Sequence, residues 1–131
     1  MIAFIAIVAL LENDSTAMAT GKRTALFELL LAIASEQVGT SAMKASEGFS
    51  SLGLTVLAST GYVFSLIFFG RSMRILPMGF AYALWVGLGM ITSSIVGTLI
   101  FKELLSLSVT LGLLMIASGI VVLNAAQGET V

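Results

Sequence analysis

Long uncharged stretches alternate along the chain with short charged clusters. The charges fall at Glu12, Asp14, Lys22, Arg23, Glu28, Glu36, Lys44, Glu47, Arg71, Arg74, Lys102, Glu103 and Glu129. Between them, residues 48–70, 75–101 and 104–128 carry no charge at all. Each run exceeds the roughly 20 apolar residues that cross a bilayer as a helix. A further apolar stretch is interrupted only by Glu28 near its start and Glu36 past its centre. The pattern predicts spans near 25–44, 53–73, 78–100 and 105–125, an all-α integral membrane protein with four transmembrane helices per chain.

Helices of that length use nearly all of the chain and leave connections too short for a soluble domain. Lys44, Ser46, Glu47 and Gly48 mark a turn at headgroup level, Arg71 to Pro77 the next boundary with Pro77 in the first turn of a new helix, and Lys102-Glu103 the third. The transmembrane domain is expected over 24–131, after an N-terminal extension of residues 1–23. Residues 1–11 are apolar but too short to span, and 12–20 are polar. Three readings fit: a signal-like segment with Ala17-Met18-Ala19 as a small-residue cleavage site, a mis-assigned start with Met18 as initiator, or an interfacial segment. Lys22, Arg23, Arg71 and Arg74 lie on the side of the N-terminus, against Lys44 and Lys102 opposite. This bias places both termini in the cytoplasm, and losing two charges would erase it, so insertion in both orientations stays open.

Composition sharpens the picture. The 131 residues are 58% hydrophobic and 10% charged, where a soluble domain has about 25% charged residues. The net charge of −1 leaves no basic surface for nucleic acid. Cys and His are both absent, which removes disulfides, thiol nucleophiles, Cys/His metal sites and the commonest general base. With no phosphate loop and no nucleophile elbow, nothing points to an enzyme, a catalytic residue or a bound metal.

Glu36 is the informative residue. A carboxylate near the bilayer centre costs a few kcal/mol, and no Lys, Arg or His stands at comparable depth to pair with it. The site therefore takes either a proton or a cation from outside; a permanently protonated acid in a helix interface is the structural alternative. Glu28, one turn inside the span, reaches the headgroups instead. Tyr82 and Trp85 are three apart and share a helical face, offering a π surface that attracts organic cations, or else an interfacial aromatic belt. Gly87 and Gly89 follow as a hinge or as packing glycines. Four helices are too few to enclose a solvated path around a buried acid, so transport requires oligomerisation. Gly112 and Gly119 share one face of the last span, with Ser108 before them, and suit a dimer interface.

These residues resemble the small multidrug resistance transporters over about residues 24–126. The resemblance lies in Glu36-Gln-Val-Gly39-Thr40-Ser-Ala-Met-Lys44 with Ser46-Glu47-Gly48-Phe49, in Pro77-Met-Gly79-Phe-Ala81-Tyr82-Ala83-Leu-Trp85, in Gly87-Leu-Gly89, and in Gly112, Gly119 and Asn124. It implies a proton-coupled exporter of hydrophobic or quaternary ammonium cations in the bacterial cytoplasmic (inner) membrane. Such an exporter works as an antiparallel homodimer or with a paralogous subunit, and needs no cofactor besides protons as the coupling ion. Glu36 would bind proton and substrate in turn, with Gly39, Thr40, Tyr62, Ser65, Tyr82 and Trp85 at the site. Members that export guanidinium carry Trp three residues after the glutamate; Gly39 here would leave room beside Glu36 for a bulkier cation. Guanidinium or polyamine-like cations are the alternative substrates. Val86 and Gln37 depart from the pattern at positions next to the site.

Overall fold

The computed structural model describes residues 19–129 and contains four helices in that range: α1 (Ala19–Ala45), α2 (Leu52–Ser72), α3 (Met78–Leu99) and α4 (Leu107–Glu129). The proposed cleavage site and the rest of residues 1–18 lie outside the described residues. All four expected spans are helices. α1 starts ahead of the expected position because Lys22 and Arg23 continue the helix beyond its apolar stretch. The other three helices are each long and apolar enough to cross a membrane. Their hydroxyls turn inward on their own backbones: Thr55, Ser59, Thr60, Thr92, Ser94 and Thr98 each donate to the carbonyl one turn earlier. These six hydroxyls are thus satisfied without water.

The chain divides into two compact units, residues 20–77 and the segment from Met78 onward. In the first, the connection from α1 to α2 is built on Ser46, which is buried. Ser46 Oγ donates to the Met43 carbonyl at 2.6 Å and accepts from the Phe49 N–H at 3.1 Å, while Ser50 Oγ donates to the Ser46 carbonyl at 2.6 Å. Glu47, Gly48 and Phe49 all have positive φ, at 49°, 76° and 66°. Only Gly48 adopts that conformation freely, and the side chains on either side of it each oppose it by about 1–2 kcal/mol. The Ser46 bonds offset that strain and turn the chain through a tight reversal.

α2 presents a face of mostly small residues, Ala58, Gly61, Ser65, Phe69 and Ser72, all buried. Its other sides expose Leu52, Val56, Leu57, Val63, Phe64, Leu66 and Ile67, a surface suited to lipid rather than water. α2 ends at Met73, whose N–H reaches the Phe69 carbonyl at 3.2 Å, and Pro77 stands immediately before α3.

In the second unit α3 packs on α4. A Cβ at Gly87 would lie 2.7 Å from Ile120 Cδ1 and 3.1 Å from Ile116 Cγ2, so this glycine admits two α4 isoleucines close to the α3 backbone. α3 closes with the Phe101 and Glu103 N–H groups both on the Gly97 carbonyl, at 3.1 and 3.0 Å. Ser106 then caps α4, its Oγ accepting from the Val109 N–H at 3.3 Å. Much of α4 is exposed, including Leu111, Leu114, Met115, Val122 and Leu123.

Candidate functional site

The predicted site residues are divided between the units. Glu36, Gly39, Thr40, Tyr62 and Ser65 belong to residues 20–77, and Tyr82, Trp85, Gly87 and Gly89 to the unit that begins at Met78.

In the first unit α1 and α2 run antiparallel, and their backbones come close at Gly39 and Gly61. A Cβ at Gly61 would fall 2.8 Å from Gly39 Cα, Gly39 N and the Ser35 carbonyl oxygen. No real side chain has such a contact, so Gly61 is what permits the approach. From the other side, a Cβ at Gly39 would meet the Ala58 carbonyl at 3.0 Å and the Tyr62 ring and N–H at 3.3 Å. The space that the sequence left beside Gly39 is therefore filled by Ala58 and Tyr62 of α2.

One residue on, Thr40 Oγ1 and Tyr62 Oη share a hydrogen bond of 2.9 Å, in which either can donate. Thr40 stands one turn after Glu36 and so shares its face of α1. The Glu36 side chain is part-buried, neighbouring Gln37 is buried, and among the described residues the Glu36 carboxylate makes no hydrogen bond or ion pair. Ser65, in α2, is fully buried, and its hydroxyl has no hydrogen-bond partner among the described residues. At the end of the helix pair, Arg71 Nε donates to Glu28 Oε1 at 2.7 Å. Glu28 is thus held in an ion pair at the span's edge.

In the second unit the Tyr82 and Trp85 rings meet edge to face, with centroids 5.8 Å apart and planes at 76°. Tyr82 is largely exposed and Trp85 part-buried; Val86, after them, is exposed. α3 is continuous through Gly87 and Gly89, and Gly87 is engaged by α4. Added Cβ atoms at Gly112 and Gly119 would meet nothing within 4 Å, which leaves both positions on α4 open to close approach by another helix.

The family model described as Small Multidrug Resistance protein matches residues 24–116, most of the chain. The chain belongs to the small multidrug resistance family. It is similar to the quaternary ammonium compound-resistance protein QacH of Staphylococcus saprophyticus, at 38% identity over 73% of this chain and 90% of the relative. It is also similar to the multidrug resistance protein EbrB of Bacillus subtilis, at 36% identity over 79% of this chain and 89% of the relative. A third relative, the nicotine metabolites export pump subunit NepA of Paenarthrobacter nicotinovorans, is 35% identical over 77% of this chain and 87% of its own. Membership accounts for four helices, three of them long and apolar enough to cross a membrane.

Two contributors in this small multidrug resistance protein escaped the sequence reading. Gly61 carries the α1–α2 contact; its signal was the recurrence of small residues at 58, 61, 65 and 72, a helical stripe within an otherwise bulky span. Arg71 carries in the sequence the signature of a span boundary and a topological charge, and its ion pair is not visible there because its partner lies far away along the chain, in α1.

Proposed function

We propose that this protein is a proton-coupled antiporter that exports hydrophobic quaternary ammonium cations across the bacterial cytoplasmic membrane. Glu36 binds proton and cation in turn. The observation that carries this reading is the Glu36 carboxyl itself, set within an apolar helix with no ionic partner among the described residues and one turn from the Thr40–Tyr62 hydrogen bond. Such a group is costly in lipid unless a proton or a cation neutralises it, and either one excludes the other. The names of QacH and EbrB support quaternary ammonium and multidrug resistance as the substrate range. The Tyr82–Trp85 pair supplies apolar and π contact for a cation that has no N–H to satisfy.

The working unit is an antiparallel homodimer, which does with two copies what inverted repeats do within one transporter chain. The open faces at Gly112 and Gly119 suit such packing. In the antiparallel unit Gly87 and Gly89 allow α3 to bend between states. NepA is named as a pump subunit, and that favours the second reading, in which this chain works only beside a paralogous partner.

Reconstitution of the purified chain alone in liposomes, with an imposed pH gradient and a panel of cations, tests both readings. Quaternary ammonium is expected to be moved well and guanidinium poorly. Transport of guanidinium without quaternary ammonium would overturn the substrate class, and no transport of any cation would favour the two-subunit reading. In the same assay Trp85→Ala loses a desolvated cation–π contact of about 1–2 kcal/mol. Bulky-cation affinity should fall about five- to thirtyfold, with the unfolding midpoint nearly unchanged.

A further inference from the structure

Glu28 and Arg71 stand outside the residues assigned to proton and cation, yet they fasten α1 to α2 at one end. Their bond is short, 2.7 Å, and the glutamate is only 14% exposed against 53% for the arginine. We propose that this pair is a positioning clamp which, with the contacts around Gly39 and Thr40, fixes the register of the stretch of α1 that carries Glu36. The proposal rests on Glu36 being the cation-binding carboxylate.

The geometry follows from the pairing of the two antiparallel helices. Moving along α1 from Glu28 to Gly39 is matched by an almost equal step back along α2 from Arg71 to Gly61. The two attachments are therefore about 16 Å apart along the helix axis, with Glu36 between them, about 12 Å from Glu28. The close approach at Gly39 and Gly61 and the Thr40–Tyr62 bond lie together on one side of Glu36 and hold the helix pair in one region. A helix held at one point pivots; held at two, it keeps both its angle and its register. Slipping α1 by one turn would part Glu28 from Arg71 by about 5.4 Å and carry Glu36 the same distance relative to Tyr62. The bond suits this task. It is charge-assisted, and at the edge of the hydrocarbon it is less screened than a pair in open water.

The test uses the full-length purified chain and tetraphenylphosphonium, a bulky hydrophobic cation with no N–H, as the binding probe. Glu28→Gln and Arg71→Gln should each raise its Kd about five- to tenfold. The charge-exchanged double variant, Glu28→Arg with Arg71→Glu, should restore Kd to within about twofold of the wild type. Single variants that bind as the wild type does, or an exchange that restores nothing, would overturn the clamp. So would a lowered unfolding midpoint with unchanged Kd in the folded fraction, which is what a merely structural pair would give. Glu36→Gln serves as the reference. If it binds the probe as tightly as the wild type, the Glu36 reading fails and takes the clamp with it. If it does not bind while the Glu28 and Arg71 variants bind normally, the clamp alone fails.

Discussion

Glu36→Gln is expected to reduce proton-driven cation export to background while leaving the chain folded in the membrane. The amide keeps the shape of the carboxyl but can neither release a proton nor offer a full negative charge. A cation that enters a desolvated site without its counter-charge forgoes about 3–5 kcal/mol, or two to four powers of ten in affinity. No second acidic residue falls within residues 37–45 of α1 or anywhere in residues 48–70 to take over. Glu36→Asp should keep partial export with a displaced pH profile, because the charge is retained and its reach is shortened. Undiminished proton-driven export by the Gln variant, measured in liposomes with an imposed pH gradient, would exclude exchange at this carboxyl.

The second large effect is expected at Gly61. A Cβ there would lie 2.8 Å from the backbone of Gly39 and from the Ser35 carbonyl. Neither obstacle is a flexible side chain, so the helices themselves must separate. Overpacking of this kind costs about 1–3 kcal/mol for a few added atoms, and Leu is expected to exceed Ala. Separation also stretches the Thr40–Tyr62 bond of 2.9 Å, so export should fall further than stability. Gly70 on the same helix provides the control, since nothing lies within 4 Å of an added Cβ there. Gly70→Ala should be neutral, or stabilising by up to about 1 kcal/mol through helix propensity. Thermal unfolding in detergent, read beside transport rate, separates the two sites. Equal behaviour of Gly61→Leu and Gly70→Ala would show that the close approach is dispensable.

The spans were legible because lipid imposes one simple rule, apolar residues over a fixed length between charged ends, and the charges at 44–47, 71–74, 102–103 and 129 mark the ends of α2, α3 and α4. α1 was legible despite Glu28 and Glu36, and its early start was not, because a helix can outrun the apolar stretch that marks it. Glu36, Tyr82 and Trp85 stood out by residue type and helical spacing alone. What each of them faces depends on the pairing of helices, and that pairing is set by features with no periodic signature. Three left-handed residues held by Ser46 decide how α2 returns along α1. From that return follow the meeting of Gly39 with Gly61, of Thr40 with Tyr62, and of Glu28 with Arg71. Gly39 shows the difference. Spacing placed it beside Glu36 as open room, whereas the fold turns it towards Ala58 and Tyr62. The proposed preference for bulky cations therefore rests on the Tyr82–Trp85 pair and on what the relatives are named for, rather than on space at position 39.

The proposed exchange of proton and cation at Glu36 is tested most directly by cation-binding calorimetry across pH in buffers of different ionisation enthalpy. A protonated Glu36 has no charge to offer, so affinity must weaken as pH falls through its titration. The limiting slope is about tenfold per pH unit for each proton displaced, and the linkage is reciprocal. The wild type is expected to release protons on binding a quaternary ammonium cation within that range, and Glu36→Gln to show neither the release nor the pH dependence. Tight binding at all pH values with no proton released would contradict exchange at Glu36.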